Sequence, residues 1–250
     1  MSHYKVEICT NSAESCLQAQ LGGAYRVELC AGIPEGGTTP SCGEIAVARD
    51  LIQIKLHVII RPRGGDFLYS ETEQQAMFKD IETARSLGAD GIVIGCLTRH
   101  GDVDMELCKR LIEKAGSLNV TFHRAFDRCR NPFENLEKII ALGCQRLLTS
   151  GQQANAEAGI PLLKQLVKQA GERIIIMPGC GVNENNISKI ATETGATEFH
   201  FSARHTLSSG MLYKNSGISM GGSICINEDE ITRTSAERVK QTIQKLDNLL

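Results

Sequence analysis

The sequence predicts a TIM (β/α)8 barrel folded as one domain over residues 1–250, and three observations carry that expectation. Short apolar runs rich in Val and Ile alternate with longer segments of helical spacing from one end of the chain to the other. Parallel neighbours cannot be joined by a tight hairpin, so each helix reads as a crossover between parallel strands. Eight such pairs in 250 residues match the size of a barrel. An open doubly wound sheet is the alternative, because periodicity does not show whether a sheet closes.

The candidate strands, in order, are residues 5–9, 26–30, 55–61, 90–95, 118–123, 145–149, 173–177 and 197–201. Between them lie helical stretches such as "ETEQQAMFKDIETARSLG", where Met77, Ile81, Ala84 and Leu87 keep three-and-four spacing and Gly88 supplies the stop. The endings "LGG", "LGAD", "ALGC" and "TGAT" repeat that signal. Residues 202–229, rich in Gly and Ser, read as a long loop between the last strand and the last helix.

A formal charge of -2 with no basic block argues against nucleic acid as a partner. Ten cysteines in a chain this long, several inside apolar runs, read as reduced thiols rather than a disulfide framework. The opening "MSHYKVEICT" lacks a signal-peptide pattern, and no stretch approaches the roughly 20 apolar residues of a membrane span. A cytoplasmic protein with no membrane partner is the expectation.

Strands covered on both faces normally read as continuous apolar runs, yet here several alternate. Val6 and Ile8 alternate with Glu7 and Cys9, Val27 and Leu29 with Glu28 and Cys30, and Phe199 and Phe201 with Glu198, His200 and Ser202. In the third strand Leu56, Val58 and Ile60 alternate with His57, Ile59 and Arg61. The apolar set must face the helices, which turns the polar set, joined by Thr121 and His123, into the barrel. A buried lone carboxylate is costly, so Glu7 and Glu28 require partners, and Arg61, His123, Arg63 and Arg124 are the candidates. For any one of these residues a satisfied structural network is an equal alternative. Their convergence at the C-terminal ends of the strands is where such barrels keep their sites.

The loops after the strands carry further candidates. "RPRGGDF" places Arg61 and Arg63 beside two glycines, and guanidinium forks suit carboxylate or phosphate. "FHRAFDRCRNP" brings His123, Arg124 and Asp127 together as acid, base and orienting carboxylate. "MPGCGVNENN" and "FHFSARH" follow strands seven and eight, the usual phosphate position, which makes Gly179, Gly181, Ser202 and Arg204 anion-site candidates. No lysine is placed inside the barrel for a Schiff base, and nothing calls for an organic cofactor.

Cys9 and Cys30 close adjacent strands with the same parity, so their sulfurs fall near each other at the mouth. Paired thiolates favour Cu(I), and plain packing of small buried residues is the competing explanation.

The segments "VEIC", "RVELCA", "EGGTTPS", "HVIIRPRGGDFLYS", "GDVDM", "VTFHRAFD", "RLLTSGQ" and "MLYKNSGISM" resemble, in order and spacing, the CutC copper homeostasis family over nearly the whole chain. That resemblance implies a cytoplasmic TIM barrel, expected as a homodimer or homotetramer, in which Cys9 and Cys30 take up Cu(I). It names a cellular role and no reaction. The polar lumen supports a second reading, an enzyme acting on a small anionic or phosphorylated metabolite through Glu7, Glu28, Arg61, His123 and Asp127, with an anion held by Arg63, Gly179, Gly181, Ser202 and Arg204. A third is a scaffold whose rim binds a protein.

Overall fold

The structure, a computed structural model, describes residues 4–215, 217–218 and 226–249. Eight parallel strands form a nearly closed barrel: β1 (Lys5–Thr10), β2 (Arg26–Leu29), β3 (Lys55–Ile59), β4 (Gly91–Ile94), β5 (Asn119–Phe122), β6 (Arg146–Thr149), β7 (Ile175–Pro178) and β8 (Glu198–Phe201). The ladder runs β7-β6-β5-β4-β3-β2-β1-β8, so the first strand pairs with the last and the seam lies between β7 and β8. Pro178 ends β7 without an N–H to donate. Just past its end, a Cβ on Gly179 would meet the tip of the Leu148 side chain on β6 at 2.4 Å and the His200 Cβ on β8 at 3.2 Å, so any larger residue would crowd both neighbours.

Eight helices cover the barrel: α1 (Ala13–Leu21), α2 (Cys42–Leu51), α3 (Glu71–Ser86), α4 (Met105–Ala115), α5 (Pro132–Ala141), α6 (Ile160–Ala170), α7 (Ile187–Thr194) and α8 (Ala236–Asp247). Their starts follow local chemistry. Ser12, Ser41, Asp104 and Ser235 cap α1, α2, α4 and α8 with their side chains, and Ser70 and Glu73 form a reciprocal capping box on α3. Met77, Ile81 and Ala84 are the buried stripe of α3. Gly88 and Gly143 take φ +82° and +79° at the turns that follow α3 and α5. Asn186 is the N-cap of α7, and Asn183 accepts from the Asn185 amide in the preceding turn.

The alternation sorts the strand side chains into two layers. Val6, Ile8, Val27, Leu29, Leu56, Val58 and Phe199 belong to the main core between barrel and helices. Cys30, Ile59 and Val93 form a separate small cluster inside the barrel, with Cys9 and Ile33 against it.

Residues 202–229, expected as one long loop, begin instead with a strand. A further strand β9 (Arg204–Ser208) pairs antiparallel with β10 (Glu230–Thr234), which leads into α8. The two polar, largely exposed strands lack the apolar signal that marks the barrel strands. Residues 216 and 219–225, with Cys225 among them, lie outside the described residues. No helix among the described residues is long and apolar enough to cross a membrane.

Candidate functional site

At the bottom of the barrel, inward-facing residues that begin strands form an ion-pair plug. Arg26 of β2 donates to Glu7 of β1 through Nε and to Glu198 of β8 through Nη2 at 2.8 Å, and Arg146 of β6 donates to Glu198 at 2.8 Å. Arg26 and Glu7 are 1% and 0% exposed, so this is the internal neutralisation that buried charges require.

One level higher, Glu7 Oε1 meets His200 Nδ1 at 2.8 Å, in register across β1 and β8. Burial alone would push the Glu7 carboxyl up; Arg26, His200 and His57 together outweigh it and hold Glu7 well below the usual carboxylate range. Burial likewise opposes charge on His200, but Cys9, Glu7 and Glu28 around it raise its pKa well above the ordinary value. His57, against Glu7 Oε2 at 3.8 Å, is driven the other way to about 3, mainly by burial.

The top layer carries the chemistry. Cys9 Sγ and Cys30 Sγ are 4.0 Å apart, and Glu28 offers a carboxylate oxygen within 4.8 Å of both. The Cys30 thiol, lying against Cys9, is the largest influence lowering the Cys9 pKa, and His200 and Arg204 add to it against burial. Arg204 Nη2 points at Cys9 Sγ from 3.3 Å. The same contact raises the Cys30 pKa, with burial second, so of the two thiols Cys9 gives up its proton more readily. Burial pushes the Glu28 carboxyl up to about 8 against the attraction of His200, and its Oε1 has no partner.

This layer opens into a cleft of about 1250 Å³ at the C-terminal ends of the strands, lined by Cys9, Glu28, Cys30, Arg61, His123 and Arg204 among others.

Several expected pairings are replaced by others. Glu7 is neutralised by Arg26 and His200, and Glu28 by holding its proton, rather than by Arg61, His123, Arg63 or Arg124. Arg61 Nη1 donates to the carbonyls of Glu35 and Gly37 and its Nη2 to that of Gly65, which ties two rim loops to β3. Arg63 is taken up by Asp66 and Glu73. Asp127 does not orient His123. It accepts from Arg124, from the Ser150 amide and hydroxyl, and from the Gln152 amide, fastening the β5 loop to the β6 loop. His123 Nδ1 accepts from its neighbour Ala125 N at 3.1 Å, while Nε2 has no partner. Glu28, Arg61, His123 and Asp127 all line the cleft, while Glu7 lies beneath it, and none of the five hydrogen-bonds to another of them.

The anion candidates divide in the same way. Gly179 N–H is spent on Thr149 O at 3.0 Å, and the Gly181 carbonyl accepts from Asn183 and Asn186. Ser202 gives its carbonyl to Thr234. Arg204 faces the Cys9 sulfur rather than an open anion site. Arg26 and His200 were not among the residues singled out as a site. Both share the inward parity of their strands, which is the signal that could have found them.

Fold and site together define a class: a (β/α)8 barrel with a charged, internally paired lumen and a dithiol at its mouth. Residues 4–205 match the model described as the CutC family, and the chain belongs to that family. It is 61% identical over 251 residues to a family protein CutC of Bacteroides fragilis, covering all of both chains. It is also 47% identical over 237 residues to the copper homeostasis protein cutC homolog of Homo sapiens, covering 95% of this chain and 87% of the human one. The crystal structure of CutC from Streptococcus agalactiae superposes with a TM-score of 0.77 at 34% identity, over 80% of this chain and 98% of that one. Phosphoribosylanthranilate isomerase of Thermotoga maritima, at TM-score 0.58 and 14% identity over 98% of this chain and 99% of that one, shares the fold alone.

Proposed function

We propose that this protein binds Cu(I) as cargo at the barrel mouth, with Cys9 and Cys30 as sulfur ligands and Glu28 as the neighbouring oxygen, in a cytoplasmic homo-oligomer that serves copper homeostasis. The observation that carries this reading is the 4.0 Å separation of the two sulfurs. Thiolates bind a metal at ~2.3 Å, so two sulfurs this close reach one ion without moving the strands. Sulfur is also the ligand type that selects Cu(I) over harder cations.

The surroundings fit that cargo. Cys9 is held as a thiolate by Arg204 and His200, so a soft nucleophile is ready before the ion arrives. Glu28 holds a proton while the site is free and can release it as positive charge arrives, and Cys30 likewise gives up its thiol proton on binding. The family and the human relative's name are consistent with a copper role.

The test is Cu(I) competition against a chromogenic chelator under reducing conditions. Wild type should withdraw one Cu(I) per chain and the Cys9→Ser, Cys30→Ser double variant none. Equal withdrawal by both proteins would remove these ligands. The acid–base reading of Glu7, Glu28, Arg61, His123 and Asp127 is the second reading: four of them line the cleft, but no hydrogen bond joins them into an acid–base pair.

A further inference from the structure

Arg61 is a buried cation without a counterion. Its side chain sits at the end of β3 with the residue only 4% exposed, and among the described residues no carboxylate lies within salt-bridge distance of it. Its Nη atoms are held by neutral carbonyls and its Nε has no partner. The Phe67 ring, 5.0 Å from the guanidinium carbon, adds cation–π attraction and no neutralising charge. Every other fully buried guanidinium or imidazolium in the barrel faces an acid or a thiolate: Arg26 faces Glu7 and Glu198, and His200 faces Glu7 and Cys9. A buried charge left without an opposite charge is strongly unfavourable.

A second, independent feature lies beside it. His123 is 4% exposed and its ring is 5.2 Å from the same Phe67 ring. Because Nδ1 accepts the Ala125 amide, the proton of the neutral imidazole resides on Nε2. That atom is buried without a partner in a side chain that lines the cleft. Burial and then the Arg61 charge push its pKa down to about 3, so His123 stays a neutral donor at physiological pH. Buried donors are almost always satisfied.

We propose that the cleft contains a monocarboxylate subsite formed by Arg61, His123 and Phe67, separate from the thiol pair. The carboxylate of a small organic acid supplies the charge that Arg61 lacks and accepts the Nε2–H of His123. Its apolar body lies on Phe67, Ile59 and Leu97, which line the same wall. One compensating cation matches a single negative charge better than a phosphate of charge near −2. The usual phosphate position of a (β/α)8 barrel offers less here, since the Gly179 amide is already bonded to Thr149.

Isothermal titration of the metal-free protein with benzoate and butyrate, at ionic strength held with chloride, tests the subsite. Saturable binding of either carboxylate is expected, with inorganic phosphate at least tenfold weaker. His123→Phe should weaken it about tenfold, the loss of one hydrogen bond to a charged group. Arg61→Gln should abolish it, and Arg173→Gln, a surface residue paired with Glu137 and outside the cleft lining, should leave it intact. Arg61 also ties rim loops, so a poorly folded Arg61 variant shifts the decision to His123→Phe. Absence of binding by both carboxylates, tighter binding of phosphate, or an unchanged affinity in His123→Phe would each overturn the subsite.

Discussion

Glu7 Oε1 and His200 Nδ1 stand 2.8 Å apart on neighbouring strands β1 and β8, and that contact links the ion-pair plug at the barrel floor to the thiols at its mouth. Below it Glu7 receives Arg26; above it His200 Nε2 lies 3.6 Å from Glu28 and its charge lowers the Cys9 pKa. Glu7, which solvent does not reach, thus acts on the top layer through His200.

Glu7→Gln keeps the shape and removes that charge, leaving Arg26 and His200 with one anion fewer. Removing one partner of a buried pair typically costs about 3–5 kcal/mol. Urea unfolding at pH 7 should show a loss of that size. A loss below about 1 kcal/mol would mean that Glu7 does not neutralise the lumen.

Glu28 gives a pH dependence of definite sign. Its folded pKa of about 8 stands above the ordinary 4.5, so the folded protein keeps a proton that the unfolded chain releases. Stability therefore declines through this group as pH rises from about 4.5 to about 8. His200, with a folded pKa above its ordinary 6.5, contributes stability that is complete below 6.5 and lost as pH rises through its folded value. Both slopes have the same sign; Glu28→Gln removes the first and, because Glu28 also helps raise the His200 pKa, weakens the second. The variant should be more stable than wild type at pH 8 by on the order of 2 kcal/mol and nearly equal to it at pH 4.5, as read by chemical denaturation across that range.

Cu(I) binding should be visible in stability as well as in chelator competition. A ligand that binds the folded state alone adds roughly 2.7 kcal/mol at 100 times its Kd. Wild type should melt several degrees higher with Cu(I) under anaerobic reducing conditions, and the Cys9→Ser, Cys30→Ser protein should not respond. An equal shift in both would point to copper bound elsewhere.

Gly95 tests how His123 is held. A Cβ at this position would lie 2.3 Å from the His123 ring, so Gly95→Ala must displace the imidazole. Overpacking of this kind costs about 1–3 kcal/mol. In the Gly95→Ala, His123→Ala double variant the clash with the ring disappears and only the 2.9 Å approach to Ala125 Cβ remains, so a thermodynamic cycle should give a coupling of at least 1 kcal/mol. Additive effects would show that the ring does not rest on this glycine.

Much of the fold is readable in the chain. Val6 and Ile8 against Glu7 and Cys9 have the period of a strand, and that parity already sends acid and thiol to one face and the aliphatic residues to the other. The shared parity of Cys9 and Cys30 on consecutive strands brings both thiols to the mouth, although the register sets Cys9 level with Glu28 and Cys30 beyond it. The β9–β10 ribbon is less readable, because "RHTLS" and "EITRT" lie mostly in solvent and carry no burial pattern. The roles of Arg26 and His200 are harder still to read. Arg26 opens β2 and resembles a solvated flank, and its fate depends on Glu198, 172 residues away.

By itself the sequence determined the eight strand and helix units, the face each side chain takes and the membership in the CutC family, since these rest on local period, caps and motif spacing. Only the tertiary structure decided which charges neutralise one another. Arg61 and Asp127 became loop fasteners, Arg204 came to face Cys9, and Arg61 and His123 were left with unpartnered nitrogens. The physical reason is that parity fixes a direction along each strand, whereas a charge is satisfied by whatever the closing barrel brings within about 3 Å of it. That depends on register around the whole ring.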